Sequence, residues 1–467
     1  MSAEHETDPA LLGRVHFIGM GGAGMSAVAK LMLARGVPVS GSDRQDSPAL
    51  RQLQDLGATV HVGQRAEHVD GAQTVVVSTA IPPEDPEYSA ARAAGLRVLH
   101  RSEALAAAMH GRAVVAVAGT HGKTTTSAMA ALALHTAGLE PSWAIGAHVA
   151  DLGSNAALGT GPWFVAEADE SDGSFLAYGP RIAVVTNIEP DHLDYYASRE
   201  AFYRAFDEFA ATLPADGLLV ACQDDPGSRE LAERHRSAGG RVVSYGTDPG
   251  SDVQVLPGEA DGLRTSSTLL LGEGADRREE RLELVVPGRH NVLNATAAFC
   301  VAVEAGVPPA DAVRGLAGFH GSARRFDLRG EVDGVRVFDD YAHHPTEVVA
   351  ALTAAREVAS GHRVIAIFQP HLFSRTREFA AEFADALALA DEALVIDIFA
   401  AREQPVDGLT SRIVTDRAPA HVRYVPDGAD AVAEAAAAAR PGDLVLTVGA
   451  GDVTALGPRL VDRLGAR

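Results

Sequence analysis

The sequence predicts an α/β protein of three units in tandem: a Rossmann-like N-terminal domain, a phosphate-loop domain with additional antiparallel strands, and a second Rossmann-like domain. Three observations predict it. Short apolar runs alternate with helical stretches along the chain, the pattern of parallel sheets with crossover helices. Two of those runs end in glycine-rich turns, at 19–24 and 119–122, and each turn leads straight into a helix. At 467 residues the chain also exceeds one core, since a domain holds roughly 100–200 residues. The units are drawn at 1–110, 111–321 and 322–467.

In the first unit, 15–18 reads as a buried strand, followed by the glycine turn and a helix over 25–34, with Gly36 suited to cap its end. A second strand is expected at 37–39, running into Gly41, Ser42 and Asp43, and a third at 72–77, before an alanine-rich helix after Arg101. The second unit opens with a strand at 114–118, the loop, and a helix through Ala137. Strands at 163–167 and 182–185 end in polar residues, and 199–211 reads as a helix. From 251 to 286 the runs are short and alternating, with turn residues at Pro257, Gly258, Gly272 and Gly274, so antiparallel strands and loops are expected. A helix over 291–305 closes the unit near Gly321. In the third unit a strand at 337–338 leads into a polar block, then a helix over 347–358, strands at 364–368, 394–398 and 444–448, and a helix over 431–439.

Composition excludes several function classes. Lys and Arg number 40 against 62 Asp and Glu, a net charge of −22; a general nucleic-acid binder needs the opposite sign. Two cysteines, Cys222 and Cys300, leave no disulfide scaffold and no thiolate metal cluster. The first thirteen residues are acidic and lack an apolar run, so no signal peptide is expected there. No apolar stretch approaches the roughly 18 residues of a membrane span. The expectation is a cytoplasmic, soluble chain, a monomer or a weak homodimer. Lysine occurs only at Lys30 and Lys123.

Open parallel sheets bind ligands beyond the carboxyl ends of their strands, where the polar clusters of this chain fall. Gly119, Thr120, His121, Gly122, Lys123, Thr124 and Thr125 form the most informative one. Small residues let successive N–H groups converge on phosphates, a lysine reaches the terminal phosphates, and a hydroxyl binds Mg2+. The loop departs from the usual pattern in one place, with Val117 where a first glycine would stand. ATP binding is expected here. Glu167, Asp169, Glu170 and Asp172 follow the strand 163–167; hard magnesium prefers such oxygen ligands, and Glu167 sits at the strand tip. His192, after the next strand, is open between a ligand, a polar orienter and a surface residue. Gly19, Gly21 and Gly24 form a GxGxxG turn with Asp43 some twenty residues on, a signal that fits NAD or any other diphosphate. A dehydrogenase would leave Lys123 and Glu167 without purpose, and a non-catalytic nucleotide-binding scaffold gives no reason for polar clusters on both sides of the loop. In the third unit, Arg324 and Arg325 could be solvated surface, whereas Arg375, shortly after a strand end, is shaped to grip a carboxylate in two places.

Taken together these residues resemble the Mur ligase family over essentially the whole chain. The blocks that carry the resemblance are 16–25, 41–43, 119–126, 167–175, 187–192, His290 and Asn291 with Asn294, 324–326, 339–345, 369–371 and 449–452. The resemblance implies an ATP- and Mg2+-dependent enzyme of peptidoglycan synthesis, with two ions expected, that joins L-alanine to the lactyl carboxylate of UDP-N-acetylmuramate through an acyl phosphate. It implies that Gly19, Gly21, Gly22, Ala23 and Gly24 hold the UDP diphosphate, with Asp43 near the uridine and Ser174 near the substrate. Lys123 would touch the β- and γ-phosphates. Thr124 and Glu167 would serve the nucleotide metal, and His192 a second metal beside the attacking carboxylate. Asn291 and Asn294 would face adenine, Arg325 and Asp340 would reach the nucleotide, and His371 and Arg375 would lie by the alanine. Tyr341, His343 and His344 share the block without individual roles. Relatives adding later amino acids carry a modified lysine after the histidine block, and this chain has none between His192 and Gly217. The alternative is a recycling branch that attaches a whole murein tripeptide, whose acidic block continues differently from Ser171, Asp172, Gly173, Ser174 and Phe175.

Overall fold

The structure, a computed structural model, describes residues 8–191, 195–272 and 277–467. Two compact units emerge from its contacts. One comprises 1–257, 268–282 and 293–318, the other 258–267, 283–292 and 319–467.

The first unit holds two sheets. The N-terminal sheet is parallel, in the order Thr59–Val62, Val39–Asp43, Val15–Ile18, Thr74–Val77, Arg97–His100. Strand order reverses at Val15–Ile18, which opens a crevice beyond its carboxyl end and puts the first glycine turn there. The second strand lies at Val39–Asp43 rather than at 37–39. The Gly-Ser-Asp run is part of this strand, and Gly41 is required within it because a Cβ would stand 2.7 Å from the Phe17 carbonyl oxygen. Thr59–Val62 and Arg97–His100 are edge strands with exposed and half-buried positions, and so lack the apolar run that announces a buried strand. Helix Ala23–Ala34 buries residues around most of its circumference. It packs between its own sheet and strands Ser142–Val149 and Ser154–Ala157 of the second sheet, which makes the two sheets one unit.

The second sheet has a parallel centre in the order Leu218–Cys222, Ile182–Val185, Ala113–Ala118, Trp163–Glu167, Ser142–Val149. Ala113–Ala118 is fully flanked, and its apolar run reflects burial on both faces. Ser154–Ala157 closes one side antiparallel. On the other side Arg241–Gly246 and Val253–Leu256 continue in parallel, and Arg264–Leu271 then pairs antiparallel with Val253–Leu256, as expected for 251–286.

The second unit carries a third sheet in the order Asp327–Val332, Val335–Asp340, Leu444–Val448, Val364–Phe368, Glu392–Val395, Val422–Tyr424. All neighbours are parallel except the first pair, a hairpin whose register shifts between Leu328 and Gly330. Its outer strand, Asp327–Val332, has no buried position, which is why apolar patterning does not reveal it. Leu444–Val448, last in sequence, sits in the middle of the sheet. Its two flanking strands bring the carboxyl ends at Asp340, Gly449 and Gln369 side by side, tied by Gly449 N–H to Asp340 O at 3.0 Å and Gln369 N–H to Val448 O at 2.9 Å.

Candidate active site

Strand Ala113–Ala118 leads into Gly119, and helix Lys123–Thr136 begins four residues after that glycine. The intervening loop is held from one side by the segment after Ile182–Val185. Thr120 N–H donates to Asn187 O at 3.1 Å, Thr120 Oγ1 to Glu189 O at 2.8 Å, and His121 N–H to Asn187 Oδ1 at 2.8 Å. Asn187 returns its amide to His121 O at 3.1 Å. The glycines are required by space as well as conformation. A Cβ on Gly119 would lie 2.1 Å from Thr186 Oγ1, and one on Gly122, at φ +82°, 2.6 Å from Asn294 Oδ1. No side chain caps the helix. Its first-turn N–H groups and the positive end of its dipole therefore face whatever the loop encloses, which fits a phosphate. Thr125, one residue on, is buried in the helix.

Lys123 curls back over the loop. Its ammonium donates to Gly119 O at 2.6 Å and Thr120 O at 3.1 Å, and pairs with Glu170 at 2.8 Å. Burial would lower its pKa, but the carboxylates of Glu170, Asp169 and Glu167 outweigh it and the pKa is raised, so the charge persists. For Glu170 burial raises the pKa and Asp169 adds to the rise, against the pull of Lys123. Asp169 goes the other way, to about 2: burial opposes this, but Lys123 and Arg101 prevail. Thr124 Oγ1 donates to Glu167 Oε1 at 2.9 Å, and Glu167 Oε2 accepts Gly146 N–H at 2.6 Å. A hydroxyl and a carboxylate thus converge next to the loop, a donor set suited to Mg2+. His192 lies outside the described residues. Ser174 opens a short helical turn, its N–H bonded to Asp172 and its hydroxyl 3.4 Å from Asp169 O.

The first glycine turn lies in the same unit. Gly19, at φ +77°, and Met20 donate N–H groups to Ser42 O, and Gly22 caps helix Ala23–Ala34 without a side chain. Asp43 Oδ2 accepts Gly21 N–H at 2.9 Å, so its carboxylate braces the turn itself. Sequence reasoning missed Arg101. Its guanidinium fills the space beside Gly24, where a Cβ would be 2.4 Å from Nη1, and reaches Asp169 Oδ2 at 3.3 Å. One side chain therefore links the glycine turn to the acidic block. The available signal is its position just after strand Arg97–His100, an edge strand that apolar patterning does not reveal. Lys30 and Asn155 tie the helix after the glycine turn to the second sheet instead: Lys30 donates to Asn155 Oδ1 at 3.0 Å, and Asn155 donates to Ala23 O at 3.2 Å.

The second unit gathers most of the remaining residues. Asp340 is buried, and its oxygens accept Phe326 N–H and Ala342 N–H, both at 2.8 Å. Burial pushes it up to about 6 although Arg325 opposes the shift. Arg324 is structural: it pairs with buried Asp339 at 3.3 Å, donates to Gly449 O at 2.7 Å, and lies over the Tyr341 ring. Arg325 also lies over that ring, 3.9 Å from Glu347. Asn291 donates to Pro287 O at 2.7 Å, whereas Asn294, one turn along the same helix, belongs to the first unit and faces Gly122. Burial lowers neighbouring His290 to about 4, and Arg325 adds to the shift. Arg375 is buried with Nη1 3.5 Å from His371 Nδ1, and His371 stacks on Phe399 and meets His343 edge-on.

Three family models match in succession: the Mur ligase family catalytic domain over 14–113, the Mur ligase middle domain over 117–302, and the Mur ligase glutamate ligase domain over 324–451. The chain belongs to the Mur ligase family. Its similar curated relatives include UDP-N-acetylmuramate–L-alanine ligases of Renibacterium salmoninarum, 58% identical over 97% of this chain and 96% of the relative, and Thermobifida fusca, 50% identical over 100% of both. Among solved structures, UDP-N-acetylmuramate-alanine ligase of Thermotoga maritima superposes with a TM-score of 0.80 at 28% identity, covering 97% of this chain and 99% of that one. A murein peptide ligase of Psychrobacter arcticus gives 0.71 at 27% identity with the same coverage. In this Mur ligase the loop, Lys123, Thr124 and Glu167 stand together in one unit with the glycine turn. His371, Arg375, Arg325 and Asp340 stand in the other.

Proposed function

We propose that the chain joins L-alanine to the lactyl carboxylate of UDP-N-acetylmuramate at the expense of ATP, giving UDP-N-acetylmuramoyl-L-alanine, ADP and phosphate. The observation that carries this reading is a likeness of near full length to relatives named for that reaction, 58% identical in the first case. The loop geometry supports it. The murein-tripeptide alternative is not favoured, since the structural neighbour named for peptide attachment fits less closely, 0.71 against 0.80. The reading also divides ligand duties among 1–110 for the UDP-sugar, 111–321 for ATP, and 322–467 for nucleotide and amino-acid contacts, and places the reaction in the cytoplasm.

In this reading a carboxylate oxygen attacks the γ-phosphorus and ADP leaves, forming an acyl phosphate. The alanine nitrogen, having lost a proton, then adds to the acyl carbon, and phosphate leaves as the amide forms. Both steps bring anions together, so the protein's part is positioning and charge neutralisation. Lys123 and the N–H groups of the loop hold the β- and γ-phosphates. Thr124 and Glu167 are the residues that hold Mg2+, which when bound offsets the charge building on the γ-phosphoryl oxygens. His192 is proposed for a second ion. Gly21, Gly22 and the N-terminus of helix Ala23–Ala34 receive the diphosphate, Asn291 and Asn294 the adenine, Arg325 and Asp340 the nucleotide, and His371 with Arg375 the alanine carboxylate.

The test is phosphate release from MgATP. Release is expected only when UDP-N-acetylmuramate and L-alanine are both present, and is expected to stop when the metal is chelated. Turnover with a murein tripeptide in place of L-alanine, and none with L-alanine, would transfer the chain to the alternative.

A further inference from the structure

His371 and Arg375 lie on a segment whose backbone is strained. Leu372, between them and buried, has φ +70° and ψ 137°, a conformation that a branched L-residue avoids. Such a geometry persists only where surrounding contacts over-determine it. The 397–403 stretch supplies them. Leu372 N–H donates to Phe399 O at 2.9 Å and Phe399 N–H to Pro370 O at 2.9 Å, while the Phe399 ring stacks on His371. The charged residue of this stretch that bonds the strained segment's backbone is Glu403. Its carboxylate accepts Phe373 N–H at 2.5 Å and Ser374 N–H at 3.1 Å, and also the Ser374 hydroxyl. Burial would raise its pKa, but these three donors outweigh it and lower it, so Glu403 is ionised at neutral pH. Charge-assisted bonds of this kind are about twice as strong as neutral ones. They fall on the two residues directly after the strained one, and from there helix Phe373–Glu378 carries Arg375 back toward His371.

We propose that Glu403 is a positioning residue for the amino-acid substrate: by clamping Phe373 and Ser374 it holds Leu372 in its strained backbone and so sets the spacing of His371 and Arg375. It touches neither substrate nor reacting atoms. The inference rests on the reading of His371 and Arg375 as the alanine site, and it assigns the selectivity of that site partly to a residue some thirty positions away in sequence. An amide at this position is neutral and accepts through its oxygen only, so all three donors lose an anionic partner and those on the replaced oxygen lose their acceptor.

The experiment compares the full-length wild type with Glu403→Gln and Ser374→Ala, varying one substrate at a time. For Glu403→Gln the KM for L-alanine is expected to rise about tenfold, with those for ATP and UDP-N-acetylmuramate unchanged and the preference for L-alanine over glycine reduced. Ser374→Ala removes one donor and should produce a smaller shift in the same direction. Acyl-phosphate formation without L-alanine, followed by isotope exchange, should be as fast as in wild type. A rise in all three KM values together, or no change in the L-alanine KM, overturns the proposal. If Glu403→Gln fails to fold, the Ser374→Ala profile decides on the same criteria. Wild type that turns over ATP with both substrates while the variants behave normally refutes the inference alone. Wild type inactive with L-alanine refutes the reading beneath it.

Discussion

Lys123 shows what a single side chain must do at this site. It is one of two lysines in the chain, and its ammonium is held by two loop carbonyls and Glu170. A γ-phosphate would offer the same ammonium a more highly charged partner than the two carbonyls and Glu170. Lys123→Ala removes the loop's own cation, and turnover at saturating MgATP should fall by about a thousandfold or more, as for removal of a phosphate-stabilising cation elsewhere. The measurement is phosphate release, with a thermal melt to confirm folding. A variant that keeps most of its activity would mean the loop does not bind the reacting phosphates.

The strand–loop–helix element around that lysine depends on Gly122, which caps helix Lys123–Thr136 in the left-handed region and lies against Asn294. Gly122→Ala should carry the left-handed backbone penalty, about 1–2 kcal/mol, and additionally displace the Asn294 amide. Gly111→Ala is the control: Gly111 has φ +75° with nothing within 4 Å of a Cβ, so only the backbone penalty applies. Both variants should melt a few degrees lower, but calorimetry with MgATP should show weakened binding for Gly122→Ala alone. Equal ATP affinities in the two variants would separate Gly122 from the nucleotide site.

At the scale of the whole molecule, the N-terminal sheet is pinned to its helices by a buried polar cluster. Glu87 accepts from Ser42, pairs with His16 at 3.3 Å and His68 at 2.7 Å, and accepts Arg65 N–H at 3.2 Å. Burial raises its pKa, but the hydrogen bonds from His16, Ser42 and His68 bring it below its ordinary 4.5. A carboxyl whose folded value is depressed stabilises the fold fully above its unfolded pKa, and that stability is lost as the pH falls through the folded value. The melting temperature should therefore drop on acidification below about 4.5, and the Glu87→Gln variant should show a shallower drop there. At pH 7 the same variant should be less stable by about 1–3 kcal/mol, the cost of leaving buried partners unmatched. Parallel melting curves across that pH range would show that Glu87 carries no linked proton.

Residue types alone determined where this chain changes direction. Gly19, Gly119 and Gly122 stand where φ is positive, and each is legible because only glycine takes those conformations without cost. The buried central strands were equally legible, since a strand covered on both faces must be apolar throughout. The half-exposed edges Thr59–Val62, Arg97–His100 and Asp327–Val332 were not, because nothing in their composition distinguishes them from loops. Partner choice was decided only in the tertiary structure. Asp43 braces Gly21, Asp340 takes two backbone N–H groups, Arg101 spans from Gly24 to Asp169, and Glu403 clamps the segment after His371. Except for the Asp340 contact with Ala342, two residues on, these join residues well separated in sequence. Local backbone preference is written into a residue and its neighbours, whereas a carboxylate or guanidinium can satisfy itself in many ways until the packed sheets leave it one.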